Sequence, residues 1–149
     1  MKNEYNVATA GLRLLSKPSE IRSLPYQGDV IAIDGQAVAI GADGETCTNV
    51  SEDSTDFGVI VFHHIGKSGR TEDGKAEAYV KFDVPPVMTQ GRVWVKPNEK
   101  ITARGKDAKV YVNTTDGTLG QTAEGATEWV GAYWDVLTNN DGLAVVNLG

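Results

Sequence analysis

His63 and His64 are the only imidazoles in the chain and Cys47 its only thiol, so a zinc-type site or a Cys–His pair would have to be built from these three. Their spacing supports neither. Neighbouring residues on a strand point to opposite faces, so the two histidines cannot hold one ion together, and no other Cys or His falls at a ligand spacing. A Ser or Cys triad has no Gly-x-Ser-x-Gly elbow to stand on. Asp-Gly pairs begin at positions 34, 43, 73, 116 and 141, but none completes a calcium loop with its distal Glu. Asp-Gly is the ordinary chemistry of tight turns. The carboxylates between Asp43 and Asp56 are numerous enough for a glycosidase pair, yet a polar loop supplies neither the cleft nor the raised pKa such a pair needs. No Gly-rich loop opens a helix to cradle phosphate. These residues argue for no enzyme and for no cofactor.

One constellation rises above this background. Arg92, Trp94 and Lys96 alternate with Val93 and Val95, which puts two cations and an aromatic ring on the outward face of a strand. If that strand pairs with residues 107 to 113, Lys109 and Tyr111 extend the surface. Three roles fit these residue types. Aromatics and cations on a sheet can stack and track single-stranded nucleic acid, as in an OB-fold. Trp, Tyr and Arg are equally the anchors of protein interfaces. Arg and Lys stems can also simply cover Trp94 beneath another segment. A protein interface is favoured over an OB-like module.

The elements that must carry this surface are short strands. With 149 residues, 17 Gly and only 5 Pro, the chain has the size of one domain and the composition of many turns. The expected class is all-β, a small barrel or sandwich of short antiparallel strands. Val30 to Ile33 and Gln36 to Ile40 flank Asp34-Gly35, the signal of a type I′ hairpin. Phe57 to Phe62 is apolar on both faces, as in a strand covered on each side. Lys75 to Val84 alternates, with Ala76, Ala78, Val80, Phe82 and Val84 expected inward, up to the break at Pro85-Pro86. Val130, Ala132, Trp134 and Val136 should face Ala144, Val146 and Leu148 in a closing hairpin. The final apolar strand is expected inside the fold.

Residues 1 to 28 differ from the rest. Gly11 and Pro18 interrupt any helix, yet Leu12, Leu14, Leu15, Ile21 and Leu24 are too many aliphatics for a solvated tail. The segment is expected to be an extended N-terminal arm lying on its own body, a neighbour or another partner, with residues 29 to 149 forming the β domain. Charge is distributed in blocks. Residues 29 to 58 carry seven acids and no base, residues 59 to 109 ten bases against six acids, within a net charge of −6. Such blocks suit docking in a fixed orientation, whereas a net acidic chain is poorly suited to nonspecific nucleic-acid binding. No run of apolar residues is long enough for a membrane helix, and no signal peptide is expected. The lone Cys47 cannot form an intramolecular bridge.

The order of motifs resembles a known family. Leu24-Pro25-Tyr26-Gln27-Gly28, Phe57-Gly58-Val59-Ile60, Gln90-Gly91-Arg92-Val93-Trp94-Val95, Lys109-Val110-Tyr111-Val112 and Gly142-Leu143-Ala144-Val145-Val146 follow one another as in the structural cement or decoration proteins that tailed bacteriophages add to the outside of their capsids. The segment Lys67 to Lys81 is longer and more charged than that pattern. The resemblance implies a noncatalytic virion protein, assembled in the host cytoplasm, that binds the major capsid protein as a homo-dimer or homo-trimer and stabilises the shell. It implies no membrane or nucleic-acid partner. Its interface would draw on Leu12, Leu14, Leu15, Ile21 and Leu24 of the arm, and on Arg92, Trp94, Lys96, Lys109 and Tyr111 of the sheet.

Overall fold

The computed structural model describes residues 10–14, 19–63 and 65–149, whose regular elements are all strands. In chain order these are β1 (Arg13–Leu14), β2 (Glu20–Ser23), β3 (Ala37–Ile40), β4 (Cys47–Thr48), β5 (Phe57–Ile60), β6 (Gly69–Arg70), β7 (Glu77–Ala78), β8 (Pro86–Gln90), β9 (Arg92–Val95), β10 (Lys109–Asn113), β11 (Leu119–Gly120), β12 (Ala126–Val136) and β13 (Ala144–Asn147). A six-stranded sheet has the order β1-β9-β13-β12-β10-β11, a five-stranded sheet the order β2-β8-β5-β3-β4, and β6 and β7 form a hairpin of their own. The strands pair antiparallel, as the all-β reading expects.

Alternation along the strands sets the layers. Val93, Val95, Val110, Val112, Trp134, Ala144 and Val146 point from the larger sheet onto Ala37, Val59 and Met88 of the smaller one, forming the main core. The smaller sheet has a second apolar face, where Val38, Ile60 and Val87 pack with Leu24, Tyr26, Ala32, Cys47 and Tyr79. Both faces of β5 are therefore covered, and all four of its residues are buried. That is the environment its unbroken apolar run required. The closing strand β13 lies between β9 and β12 with every residue buried.

The two sheets share one length of chain. β8 belongs to the smaller sheet and β9 to the larger, and only Gly91 separates them. Gly91 has φ +119°, and a Cβ there would stand 2.8 Å from Ser19 Cβ. Any other residue would meet both backbone strain and a clash at this corner.

Local expectations fail where turn chemistry overrides alternation. At Asp34-Gly35 only Gly35 has positive φ (81°), and Gln36 N–H donates to Ile33 O at 3.2 Å. That is the pattern of a type II turn, not type I′, so Val30–Ile33 does not fold back on β3. Instead β3 pairs with β4 and β5, while Ala32 bridges Tyr79. The strand expected over 75 to 84 is reduced to β7, followed by a turn. Ala78 is buried, but Ala76, Phe82 and Val84 are exposed and Tyr79, read as outward, is fully buried. In the closing hairpin Ala132 and Trp134 are buried as expected, but Val130 is 82% exposed. The register of β10 against β12 slips between Lys109 and Tyr111, and of the extra β12 residues there Val130 and Gly131 are exposed while Trp129 and Ala132 stay in the core.

The segment expected as an arm enters both sheets wherever it is described. β1 pairs with β9 and β2 with β8, while Leu24 and Tyr26 are 2% and 0% exposed. Residues 1–9 and 15–18, and with them Leu15, lie outside the described residues. Because Leu24 is core and Leu12 is 40% exposed, the two should separate in unfolding experiments. Leu24→Ala is expected to cost about 2–5 kcal/mol in urea denaturation. Leu12→Ala should stay within about 1 kcal/mol.

Candidate functional site

The outward face of the six-stranded sheet carries the residues singled out by the sequence. Val93 and Val95 point into the core, so Arg92 and Trp94 face out and are half-buried, with Lys96 exposed beyond them. Val110 and Val112 are likewise inward, leaving Lys109 exposed and Tyr111 half-buried. The two strands are not neighbours, however. β13 and β12 lie between β9 and β10, which puts Arg92 and Lys109 three strand spacings apart, about 14 Å. Arg92 is opposite Asn147, Asn147 opposite Tyr133, and Tyr133 opposite Lys109, so one row crosses four strands.

This row is electrically quiet. Arg92 Nε lies 2.6 Å from Asp135 Oδ2, and Arg104 approaches the same carboxylate at 3.7 Å. Lys109 Nζ lies 3.3 Å from Glu128 Oε1, and the hydrogen bond to Glu128 holds the Lys109 ammonium above its ordinary pKa. Asn147 donates its side-chain N–H to Tyr133 Oη at 3.0 Å. Trp94 stands opposite the fully buried Val145. The carboxylates beside Arg92 and Lys109 offset both charges and weaken their attraction for phosphate. The face suits a protein surface better than the backbone of a nucleic acid.

Of the arm residues, Leu24 is in the core and Ile21 is half-buried against it. Leu12 is on the surface, and its carbonyl accepts from Trp94 N–H at 2.8 Å. Leu14 is placed by its pairing opposite Arg92. The structure thus brings the Leu12–Leu14 stretch beside Arg92 and Trp94, a juxtaposition that sequence spacing does not reveal.

The remaining candidate chemistry is structural. His63 is exposed, with Nδ1 2.8 Å from Ile65 O, and His64 lies outside the described residues. Among the described residues no three His, Cys, Asp or Glu side chains gather as a metal site. Asp43 is used in its own turn, accepting from Glu45 N–H at 2.9 Å. The broad surface depressions of about 440 and 460 Å³ are lined by residues such as Gln121 and Asn98, with no contribution from the acidic loop. Lys67 and Asp34 form a sheltered pair at 2.7 Å, 7% and 15% exposed. The Lys67 ammonium also lies 5.6 Å from the centre of the Phe62 ring and 5.5 Å from that of Tyr79. The pair ties the charged segment after His63 to the Asp34 turn. Sequence reading missed it because the partners are 33 residues apart.

With this geometry in place, comparison with known proteins is decisive. The model of the family described as "Structural cement protein (E217 gp24/Pam3 gp6)" matches residues 1–149, the whole chain. The chain belongs to this family. Among curated proteins none matches. A chain from the solved structure titled "The capsid of Myoviridae Phage XM1" superposes with a TM-score of 0.70 at 16% identity, covering 100% of this chain and 98% of that one. At that identity the likeness shows a shared fold. The family's description is that of a structural protein.

Burial also decides the fate of the one thiol. Cys47 is fully buried with Sγ 3.5 Å from Leu24 O, and desolvation pushes its pKa up to about 12 from 9.0. Desolvation likewise raises Tyr26 and Tyr79 from 10.0 to about 12, with Cys47 and Asp29 adding to the first and Asp34 and Asp83 to the second. Raised folded pKa values mean that the unfolded chain releases these protons first. Their contribution to stability is complete below about pH 9 and lost as pH climbs toward 12. Chemical denaturation should therefore show a stability plateau that falls above pH 9, with the fall starting closer to pH 10 in Cys47→Ala. Native Cys47 should resist thiol reagents at pH 8 until denaturant is added.

Proposed function

We propose that the protein is a noncatalytic cement that binds the outer surface of a phage capsid as a symmetric oligomer and stabilises the shell. The match of the cement family over the entire chain carries this reading. The fold supports it physically. A sandwich whose sheets share the β8–β9 strand, and whose strand β5 is covered on both faces, resists deformation. Such stiffness lets contacts on its surface transmit force between shell subunits.

The two ends of the interface set play different parts in this proposal. The face bearing Arg92, Trp94, Lys96, Lys109 and Tyr111, with Leu12 and Leu14 at its edge, forms the contact between copies. Its Arg92–Asp135 and Lys109–Glu128 pairs offset part of its positive charge, and half-buried aromatic rings are the usual anchors of such contacts. Several copies joined this way hold the shell at several points, so that modest individual contacts combine into tight attachment.

Purified protein mixed at micromolar concentration with expanded capsids of its own phage is expected to sediment with the shells. Protein left wholly in the supernatant would remove the proposal. For the contact between copies, Trp94→Ala should weaken self-association by about 2 kcal/mol or more. The same variant's thermal unfolding should show less than the loss of about 3–5 kcal/mol typical of a core Trp. Sedimentation equilibrium and calorimetry on that one variant give both numbers.

A further inference from the structure

The Asp-Gly pairs that begin at positions 34, 43, 73, 116 and 141 form turns, and a peptide of this kind can rearrange without an enzyme. The Gly nitrogen attacks Cγ of the preceding Asp, since no side chain on Gly stands in the way. A Cγ–N bond forms and closes a five-membered imide. The Cγ–O bond breaks, and the carboxyl hydroxyl leaves with the Gly amide proton as water. A second water then opens the ring at one of its two carbonyls. Opening at Cγ restores Asp; opening at the main-chain carbonyl leaves isoaspartate, with the chain running through the side-chain carboxyl. Nothing is oxidised or reduced, and the water lost in the first step is regained in the second. The neutral carboxyl must be free to turn toward the Gly nitrogen, so hydrogen bonds that hold the carboxylate in place retard the step.

The fold holds four of these carboxylates. Asp34 Oδ2 lies 2.7 Å from Lys67 Nζ in the sheltered pair. Asp43 Oδ1 accepts from Glu45 N–H at 2.9 Å. Asp73 Oδ1 accepts from Thr71 Oγ1 at 2.6 Å and from Lys75 N–H at 3.0 Å, and these bonds hold its carboxyl below the ordinary pKa. Asp116 Oδ1 accepts from Thr118 Oγ1 at 2.6 Å and from Thr118 N–H at 3.0 Å. Asp141 differs. It is exposed, its own N–H donates to Asn139 Oδ1, and among the described residues its carboxylate receives no hydrogen bond and no ion pair. The attacking nitrogen is also the least firmly tied. Gly142 N–H donates to Asn139 O at 3.1 Å, against 2.7 Å for Gly35, 2.9 Å for Gly44, 2.8 Å for Gly74 and 3.0 Å for Gly117 to their own acceptors.

We propose that Asp141 is the site of spontaneous covalent modification in this protein, its bond to Gly142 converting through the imide to isoaspartate ahead of the other four Asp-Gly bonds of the folded chain. The place matters to the fold. Asn139 organises this turn, its Oδ1 accepting from Asp141 N–H at 2.9 Å and from Leu143 N–H at 3.0 Å while its own N–H donates to Leu143 O at 2.8 Å. Isoaspartate adds one atom to the main chain inside the turn, so these bonds cannot all be kept. The turn leads directly into β13, which lies between β9 and β12 in the larger sheet.

The test ages the full-length folded protein for weeks at neutral pH in heavy-oxygen water, followed by peptide mapping with electron-transfer fragmentation. Ring opening incorporates the heavy oxygen whether it yields Asp or isoaspartate, so the label counts every imide formed. Freeing a carboxylate from one charge-assisted hydrogen bond slows the step by about tenfold, or ~1.4 kcal/mol. Asp141 is therefore expected to carry about ten times the label of each other Asp-Gly site. In denaturant the five sites should label at similar rates, since only the shared dipeptide then counts. Thr71→Val, which removes one of the two bonds on Asp73, should raise the label there and leave that at Asp141 unchanged. Label spread evenly over the five sites of the folded protein, or concentrated at another of them, overturns the assignment. So does a folded protein that stays unlabelled while the denatured chain reacts, or a Thr71→Val variant in which Asp73 labels no faster than in the parent.

Discussion

The fold depends on the passage of the chain from one sheet to the other at Gly91. Strand β8 pairs with β2 and β5, strand β9 with β1 and β13, and a single residue lies between them. The corner fixes how the two sheets face each other and so which valines meet in the main core. It also couples the N-terminal strands to the body, because β1 and β2 pair with the two halves of this same bent strand. Ser19 closes against Gly91 at the place where a Cβ would stand, so the approach of β2 depends on the missing side chain. Sheets joined through continuous chain cannot slide past one another without breaking ladder hydrogen bonds.

How much of this was legible in the sequence depended on whether period two governed locally. It did on β9 and β10, where Val93, Val95, Val110 and Val112 are all buried, and on β5, whose double-faced apolar run announced cover on both sides. The alternation of 75 to 84 misled because the neighbours Ala78 and Tyr79 are both buried, Tyr79 bridging Ala32, and because a turn at Lys81-Phe82 then leaves Phe82 exposed. Nothing in the residue types signals a left-handed Phe, since Gly or Asn would be the ordinary choice. The failure falls at a position where local preference and observed conformation conflict, which is where function tends to lie.

The candidate surface was legible residue by residue but not as an assembly. Outward placement of Arg92, Trp94, Lys109 and Tyr111 followed from alternation. Their separation did not, because it depends on the insertion of β12 and β13 between the two strands. The sequence likewise gave no sign that Asp135 and Glu128 would sit beside the cations and quiet them. Both facts are long-range consequences of strand order, which the spacing of residues along a chain does not encode.

Two distinct surfaces emerge on one stiff body: the broad outward face of the six-stranded sheet and the small projecting Val80–Asp83 turn. In the proposed reading the sheet face serves contacts between copies and the rest of the body is left to meet the shell. A cryo-EM reconstruction of capsids decorated with this protein tests that division most directly. The proposed reading predicts that the protein sits on the outside of the shell with the face carrying Trp94 and Tyr133 against another copy. A reconstruction in which the Trp94 face lies on the shell, or in which single copies sit apart from one another, would contradict it.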